Sequence, residues 1–471
     1  MSPAGKSQCF AVRRGELTER LDPHYYLPEF AELVAQIQRA PHKPLGELVS
    51  QSDETWDGNT KGCGCVFPYI EISAVGLGTN EYTVAQIETE FAPSRARMIV
   101  KAGDLLISTT RPDRGAVALV RKEDEDSIAS TGFAVLRDIK QDGVTKEFLL
   151  NAISSTLVLR QLLQRSSGGS YPAITASEID KVLIPLPPLS RQRDLVAAIE
   201  AARAAQRAKL AEAEVLLADV DDYMLQSLEL RMPEPDAIRT YAIRHGDCRI
   251  EGRVDAGFHQ PYYRRVEKAL SDCSMPKISL GEISPEIVGG ATPKSRDREF
   301  YADSGVKFLR IMNVKANQFD LCDLNYIKPE VHEGELKRSQ LEENDVLMTI
   351  TGRVGNAAVV SRDLLPANIN QHIVRLRIVR GDILPEYIAA FLNTKVGLAL
   401  SNRGVTGGTR MALDYSAIRK LSIPMPAIGV QERIVKELNA RRREAFKLRQ
   451  QTETDWQQAK ADFETALLGR E

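Results

Sequence analysis

No run of 18 apolar residues occurs in the 471-residue chain, and the opening Met1-Ser-Pro-Ala-Gly-Lys-Ser7 lacks the apolar segment of a secretory leader. A cytoplasmic protein without a membrane span is expected. Cysteine is scarce: six residues, at 9, 63, 65, 248, 273 and 322, are too scattered for a disulfide framework. Cys63 and Cys65 lie close together, but no second pair or His cluster accompanies them, so they read as an ordinary loop rather than a zinc site. No charge of one sign prevails either, since 62 Lys and Arg oppose 64 Asp and Glu for a net charge of −2. Without a global positive field, any DNA contact must come from local patches or a basic partner.

Catalytic motifs are missing as well. The six histidines, at 24, 42, 245, 259, 332 and 372, show no ligand or triad spacing. Ala4-Gly-Lys-Ser7 imitates the end of a phosphate-binding loop whose first glycine would fall before residue 1. A DNA methyltransferase needs a Gly-rich S-adenosylmethionine loop and an Asn/Asp-Pro-Pro-aromatic run; Asp22-Pro-His-Tyr-Tyr26 comes nearest and has one proline. The acidic run Glu123-Asp-Glu-Asp126 reads as a solvated turn, because adjacent carboxylates in an extended turn point apart. The expectation is therefore no catalytic, metal or cofactor site.

What is present is a duplication. Sliding the chain against itself by 239 residues brings Gly168-Gly-Ser170 onto Gly407-Gly-Thr409, Ile184-Pro-Leu-Pro187 onto Ile423-Pro-Met-Pro426, and Gln192 onto Gln431. From 168 to 196 eleven of 29 positions are identical, where unrelated sequence would give about two. Upstream the offset drifts: Arg20-Leu-Asp22 parallels Arg253-Val-Asp255, and Gly103-Asp-Leu-Leu-Ile107 parallels Asn344-Asp-Val-Leu-Met348. Each copy holds a mixed region and then a tail of about 40 residues.

The mixed regions carry short β-type runs at 97–100, 104–108 and 116–120, and again at 306–311, 345–350 and 373–378. Helical periodicity covers 28–40, 146–165 and 384–402, which gives an α+β globule. In the first tail Leu195, Ile199, Ala202, Gln206, Leu210, Ala213, Leu217, Val220, Met224 and Leu228 recur at steps of three or four. In the second, Ile434, Leu438, Arg441, Ala445, Leu448, Thr452, Trp456, Ala459, Phe463 and Ala466 keep that rhythm. Each predicts a helix of about 57 Å, with an alanine-rich stripe suited to a slim contact with the other tail rather than to burial in its own globule.

In the order of these motifs, repeated twice, the chain resembles the specificity subunits of type I restriction-modification systems along essentially its whole length. The resemblance rests on Ile184-Pro-Leu-Pro-Pro188 with Gln192, Ile423-Pro-Met-Pro426 with Gln431, the Arg-x-Asp openings, the Gly-Gly pairs before each tail, and Gly289-Gly-Ala-Thr-Pro-Lys294. The chain departs from the pattern at Ala427, where the first copy has Pro188, and at Gln51–Trp56, where the first copy lacks a Gly-Gly-x-Thr-Pro run. The resemblance implies a target recognition domain at 1–188, a spacer helix at 189–230, a second recognition domain at 231–427 and a second spacer helix at 428–471. It further implies that the helices pair as an antiparallel coiled coil with pseudo-two-fold symmetry. The function implied is non-catalytic: reading a bipartite site on double-stranded DNA and recruiting two methylation subunits and restriction subunits, with S-adenosylmethionine, ATP and Mg on those partners.

Arg and Lys beside small residues suit DNA, because glycine admits close backbone approach and Arg forks onto guanine. The first domain offers Thr109, Arg111 and Arg114, and Ser167, Gly168, Gly169, Ser170 and Tyr171. The second offers Thr292, Lys294 and Arg296, Thr351 and Arg353, and Thr406, Gly407, Gly408, Thr409 and Arg410. Other readings are a coiled-coil adaptor without DNA binding, a DNA-binding subunit of another methylation-based defence system, and an enzyme acting on DNA itself, which the missing motifs disfavour.

Overall fold

The two copies of the repeat build the same central sheet from corresponding positions, and a second sheet that shares a parallel pair but differs in its outer strands. The computed structural model describes residues 10–18, 20–57, 65–235, 240–293, 300–408 and 411–470. In the first copy Leu105–Ser108 lies inside an antiparallel sheet ordered Val49–Ser52, Phe133–Ile139, Leu105–Ser108, Val117–Leu119. In the second, Val346–Thr349 takes that place, in the order Ile287–Gly289, Ile373–Leu376, Val346–Thr349, Ala357–Val359. Both central strands are buried at every position, which is why they read as continuous runs rather than alternations. A second sheet in each copy holds one parallel pair, Val66–Ile70 with Ile128–Ser130 and Val306–Leu309 with Ala367–Ile369. The repeated Ile-Pro segments close each globule as two-stranded ribbons, Leu183–Pro185 against His42–Pro44 and Ser422–Pro424 against Lys277–Ser279, where a proline interrupts no interior ladder.

The periodic stretches at 146–165 and 384–402 are each two helices, not one: Lys146–Ile153 and Thr156–Arg165, then Pro385–Leu392 and Lys395–Gly404. Hydroxyls make the breaks. Ser155 turns extended (φ −73°, ψ 152°) and its Oγ donates to the Ala152 carbonyl at 2.6 Å. Thr394 Oγ1 donates to the Phe391 carbonyl at 2.7 Å and accepts from the Gly397 N–H at 3.1 Å, capping the next helix. A Cβ at Gly397 would stand 2.3 Å from the Phe391 carbonyl oxygen, so only glycine allows the two helices to meet this closely.

The tails are helical over Leu189–Ser227 and Ile428–Leu467, 39 and 40 residues. The repeated glutamine ties each to its globule. Gln192 Nε2 donates to the Gly143 and Pro187 carbonyls, both at 2.8 Å, and Gln431 Nε2 to those of Asp382 (3.0 Å) and Pro426 (2.9 Å).

The chain divides into two compact units, residues 1–209 with 450–471, and residues 210–449. In the first, Leu195, Ile199, Trp456, Phe463 and Leu467 belong to the same core as Leu45, Ile107, Phe148 and Ile184. Arg203 lies over the Trp456 ring at 5.6 Å, and Lys209 Nζ pairs with Asp455 at 2.7 Å. In the second, Met224, Leu228, Ile434 and Leu438 join Tyr387, Phe391 and Ile423, and Arg441 donates to the Asp219 carbonyl at 3.1 Å. The expectation of a slim helix–helix contact is corrected here: the helix ends are sunk in broad cores, where Trp456 and Phe463 pack with residues of the first globule and Met224 and Leu228 with residues of the second. Of the stripe positions only Leu210 is exposed, at 36%.

Candidate nucleic-acid interface

In each unit three loops are tied together by the same backbone hydrogen bonds. In the first, the Thr109 N–H donates to the Gly132 carbonyl (2.8 Å), the Ile174 N–H donates to the Thr109 carbonyl (2.9 Å), and Thr110 bridges Ala173. In the second, the Ile350 N–H donates to the His372 carbonyl (3.0 Å), the Leu413 N–H donates to the Ile350 carbonyl (2.9 Å), and Thr351 bridges Ala412. The loop leaving the central strand, the turn between the two sheets and the Gly-Gly loop after the helix pair therefore form one cluster per unit.

The first cluster assembles around Arg111, whose N–H donates to the Pro172 carbonyl at 2.7 Å. Its guanidinium stacks 4.2 Å from the centre of the Tyr171 ring and donates to the Ser170 carbonyl at 3.1 Å. Tyr171 is 69% exposed, so the stack presents a flat aromatic and cationic surface outward. Arg111 holds φ +49°, a left-handed conformation that costs a side-chain-bearing residue about 1–2 kcal/mol. Such strain persists where the surroundings impose it. Gly168, at φ +98°, would place a Cβ 3.0 Å from the Tyr171 carbonyl oxygen, so glycine alone fits beneath the stack. Ser167, Gly169, Ser170 and Arg114 are exposed around it, and Thr109 is half-buried with its Oγ1 donating to the Gly132 carbonyl at 3.0 Å.

In the second cluster Gly352, at φ +61°, occupies the place of Arg111. Here exposed Thr292 and Gln371 form a chain with half-buried His372 and Thr351 instead. Thr292 Oγ1 donates to Gln371 Oε1, Gln371 Nε2 meets His372 Nε2 at 3.3 Å, and His372 Nδ1 meets Thr351 Oγ1 at 2.9 Å. Thr406, Gly407, Gly408 and Arg353 are exposed beside it, with Gly407 at φ +103° in the position of Gly168. Lys294, Arg296, Thr409 and Arg410 lie outside the described residues, so their sites are not placed. Gly289 and Gly290 serve packing, since a Cβ would fall 1.8 Å from Tyr415 Oη or 2.0 Å from the Ile369 carbonyl oxygen.

Gln371 and His372 were not among the residues expected to bind. Their signal lay in the repeat register, where Ile369–Leu376 falls on Ala129–Leu136 and a polar Asn-Gln-His run interrupts two apolar strands at the first copy's Ser130-Thr-Gly turn. The acidic run turns as expected but is not wholly solvated: Glu123, Glu125 and Asp126 are exposed, whereas Asp124, on a short 3-10 turn at Lys122–Asp124, is largely covered and accepts from the Tyr82 hydroxyl and Arg121. Burial lifts the Tyr82 phenol to about 12. Cys63 lies outside the described residues, and Cys65, Cys248, Cys273 and Cys322 are free thiols. Among the described residues no group of three or more His, Cys, Asp or Glu is placed to hold a metal, and no helix is long and apolar enough to cross a membrane.

Comparison with known proteins agrees with the duplication. The family model described as the type I restriction modification DNA specificity domain matches residues 45–212 and 275–454, together more than half of the chain. The specificity subunit of the Escherichia coli type I restriction enzyme EcoBI is 22% identical over 308 residues, taking in 64% of this chain and 60% of that protein. The corresponding EcoKI subunit of Escherichia coli strain K12 is 23% identical over 297 residues, or 62% of this chain and 57% of that protein. The match thus spans about 60% of the length of these curated relatives. A solved chain from work on complex assembly and conformational transition of the type I R-M system aligns over 91% of this chain and 96% of its own, with a TM-score of 0.53 and 24% identity, and so shares the fold.

Proposed function

Given that this chain belongs to the type I restriction-modification DNA specificity family, we propose that it is the specificity subunit of such a complex, a non-catalytic reader of a bipartite site on double-stranded DNA. Residues 1–188 and 231–427 act as the two target recognition domains, and the helical segments 189–230 and 428–471 act as the spacer between them. The observation that carries this reading is the second occurrence of one loop cluster on one backbone frame, with different exposed side chains. Two such clusters suit two unlike half-sites. Arg111 with Tyr171 in one, and Gln371, His372 and Thr351 in the other, offer the donors, acceptors and planar surfaces that base edges and phosphates require.

The long helices pair antiparallel as a coiled coil and set the half-site spacing about a pseudo-two-fold axis. Arg203 over the Trp456 ring, and Arg441 with the Asp219 carbonyl, support that direction, since each joins the leading part of one helix to the trailing part of the other. The near-neutral charge suits a reader held on DNA by larger partners: two methylation subunits and, through them, restriction subunits. S-adenosylmethionine, ATP and Mg belong to those partners, and the complex works in the cytoplasm without a membrane.

Insertion of four residues after Ala213 and again after Leu448 tests the whole reading. Each helix lengthens by about 6 Å, and at about 3.4 Å per base pair the motif found by methylation-sensitive sequencing of the host gains one or two unspecified base pairs with both half-sites intact. A contiguous motif, or an unchanged spacer with full activity, contradicts it.

A further inference from the structure

Arg20 and Arg253 open the two copies of the repeat, and each makes the same constellation in its own unit. The Arg20 guanidinium forks onto Asp22, Nε to Oδ1 at 2.9 Å and Nη2 to Oδ2 at 3.0 Å. Its Nη1 and Nη2 also donate to the carbonyls of Arg165 (2.6 Å) and Ser166 (3.3 Å). Arg253 donates from Nε to Asp255 at 2.8 Å, and from Nη1 and Nη2 to the carbonyls of Gly404 (3.1 Å) and Val405 (2.8 Å). An aromatic ring flanks each guanidinium, Tyr25 at 5.0 Å and Phe258 at 4.4 Å. Even the backbone of each arginine is held, the Arg20 carbonyl by the Tyr26 hydroxyl at 2.6 Å and the Arg253 carbonyl by His259 Nε2 at 2.7 Å. The short turn at Pro23–Tyr26, which resembled part of a methyltransferase motif, is a component of this latch.

The carbonyls that receive the arginines are not arbitrary. They end the helices Thr156–Arg165 and Lys395–Gly404, where backbone carbonyls have lost their intrahelical donors and the helix dipole favours a cation. From those carbonyls the chain passes directly into the Gly-Gly loops that hold Gly168 and Gly407. The fork has a fixed planar geometry, so anchoring one side on the Arg-x-Asp carboxylate defines where the helix end, and hence the loop base, must lie. With their hydrogen bonds committed inside the unit, these arginines act through the loop rather than on DNA.

We propose that Arg20 and Arg253 are positioning residues, each fixing the launch point of its own unit's Gly-Gly loop and so setting recognition at one half-site. The proposal rests on the DNA-reading function argued above. The test uses the full chain assembled with its methylation subunits, on duplexes carrying the motif found by methylation-sensitive sequencing, with one half-site or the other scrambled. Unaltered protein that prefers the intact duplex over neither scrambled one removes the DNA-reading function and the latch with it. If it discriminates at both, Arg253→Ala is expected to lose at least tenfold of its preference at one half-site and stay within twofold at the other, and Arg20→Ala to do the reverse. Equal losses at both half-sites that track a fall in unfolding temperature overturn the proposal, since they mark a role in stability alone. Unchanged discrimination overturns it too. Should the alanine variants fail to fold, Arg253→Lys keeps the charge without the fork. It is expected to show a smaller loss at the same half-site at an ordinary unfolding temperature, and unaltered discrimination there counts against the latch.

Discussion

The loop cluster of the first unit and that of the second share a backbone but differ in the side chains they present. Thr110 and Thr351 make the same bridge, to Ala173 and Ala412, and Gly168 and Gly407 take the same left-handed turn. On that frame the first unit sets Arg111 against Tyr171, whereas the second has Gly352 in the place of Arg111 and His372 in the place of Gly132. On the proposed function, the shared parts hold the loops and the parts that differ read the half-sites. Backbone pairing and a glycine in the left-handed conformation, Gly168 or Gly407, are common to both clusters, while the side chains presented on top of them have diverged.

The largest effect comes from breaking the frame. Gly290→Val drives a side chain into the Ile369 and Asn370 carbonyls, 2.0 and 2.4 Å from the first carbon added, and separates the strand Ile287–Gly289 from its sheet. A loss of more than about 3 kcal/mol is expected in denaturant unfolding, and a midpoint close to the unaltered protein's would show that this close approach is dispensable. The frame and the reader separate at Arg111. Replacement by glycine relieves the left-handed strain while it removes the stack on Tyr171, so stability is expected to change by less than about 1 kcal/mol. Discrimination at one half-site falls by about 1–3 kcal/mol if Arg111 makes a bidentate base contact; equal weakening on every sequence would mark a phosphate contact instead.

The smallest effect is in acid. Hydrogen bonds from Arg20 and Arg253 hold the Asp22 and Asp255 carboxyls below the ordinary aspartate range. A group whose folded pKa is depressed stabilises fully above its unfolded value, near 3.9, and loses that contribution as pH falls through the folded one. The stability advantage over Asp255→Asn should therefore be complete at neutral pH and shrink below about pH 4. An advantage that is constant or grows in acid would contradict the assignment.

Much of this fold was legible because the chain states it twice. The repeat register located the central strands Leu105–Ser108 and Val346–Thr349 and the tail helices. Periodicity ran past the breaks at Ser155 and Thr394, since apolar spacing persists across a hydroxyl that takes a helix carbonyl. It also could not tell a slim stripe from one sunk in a core, because that depends on what faces Trp456 and Met224. At the loops, residue type named Arg111 and Tyr171, but neither their stack nor the left-handed backbone that aims it was readable. Gln371 and His372 escaped notice because neither sits beside a glycine or carries a fixed charge.

The most direct test of two independent readers on one frame is the pair of host methylation motifs written by Arg111→Gly and by a Gln371→Ala, His372→Ala double variant, sequenced side by side. Degeneracy confined to one half-site in the first and to the opposite half-site in the second, with the spacer unchanged in both, is the predicted result. Degeneracy of both half-sites in either variant, or of the same half-site in both, would contradict it.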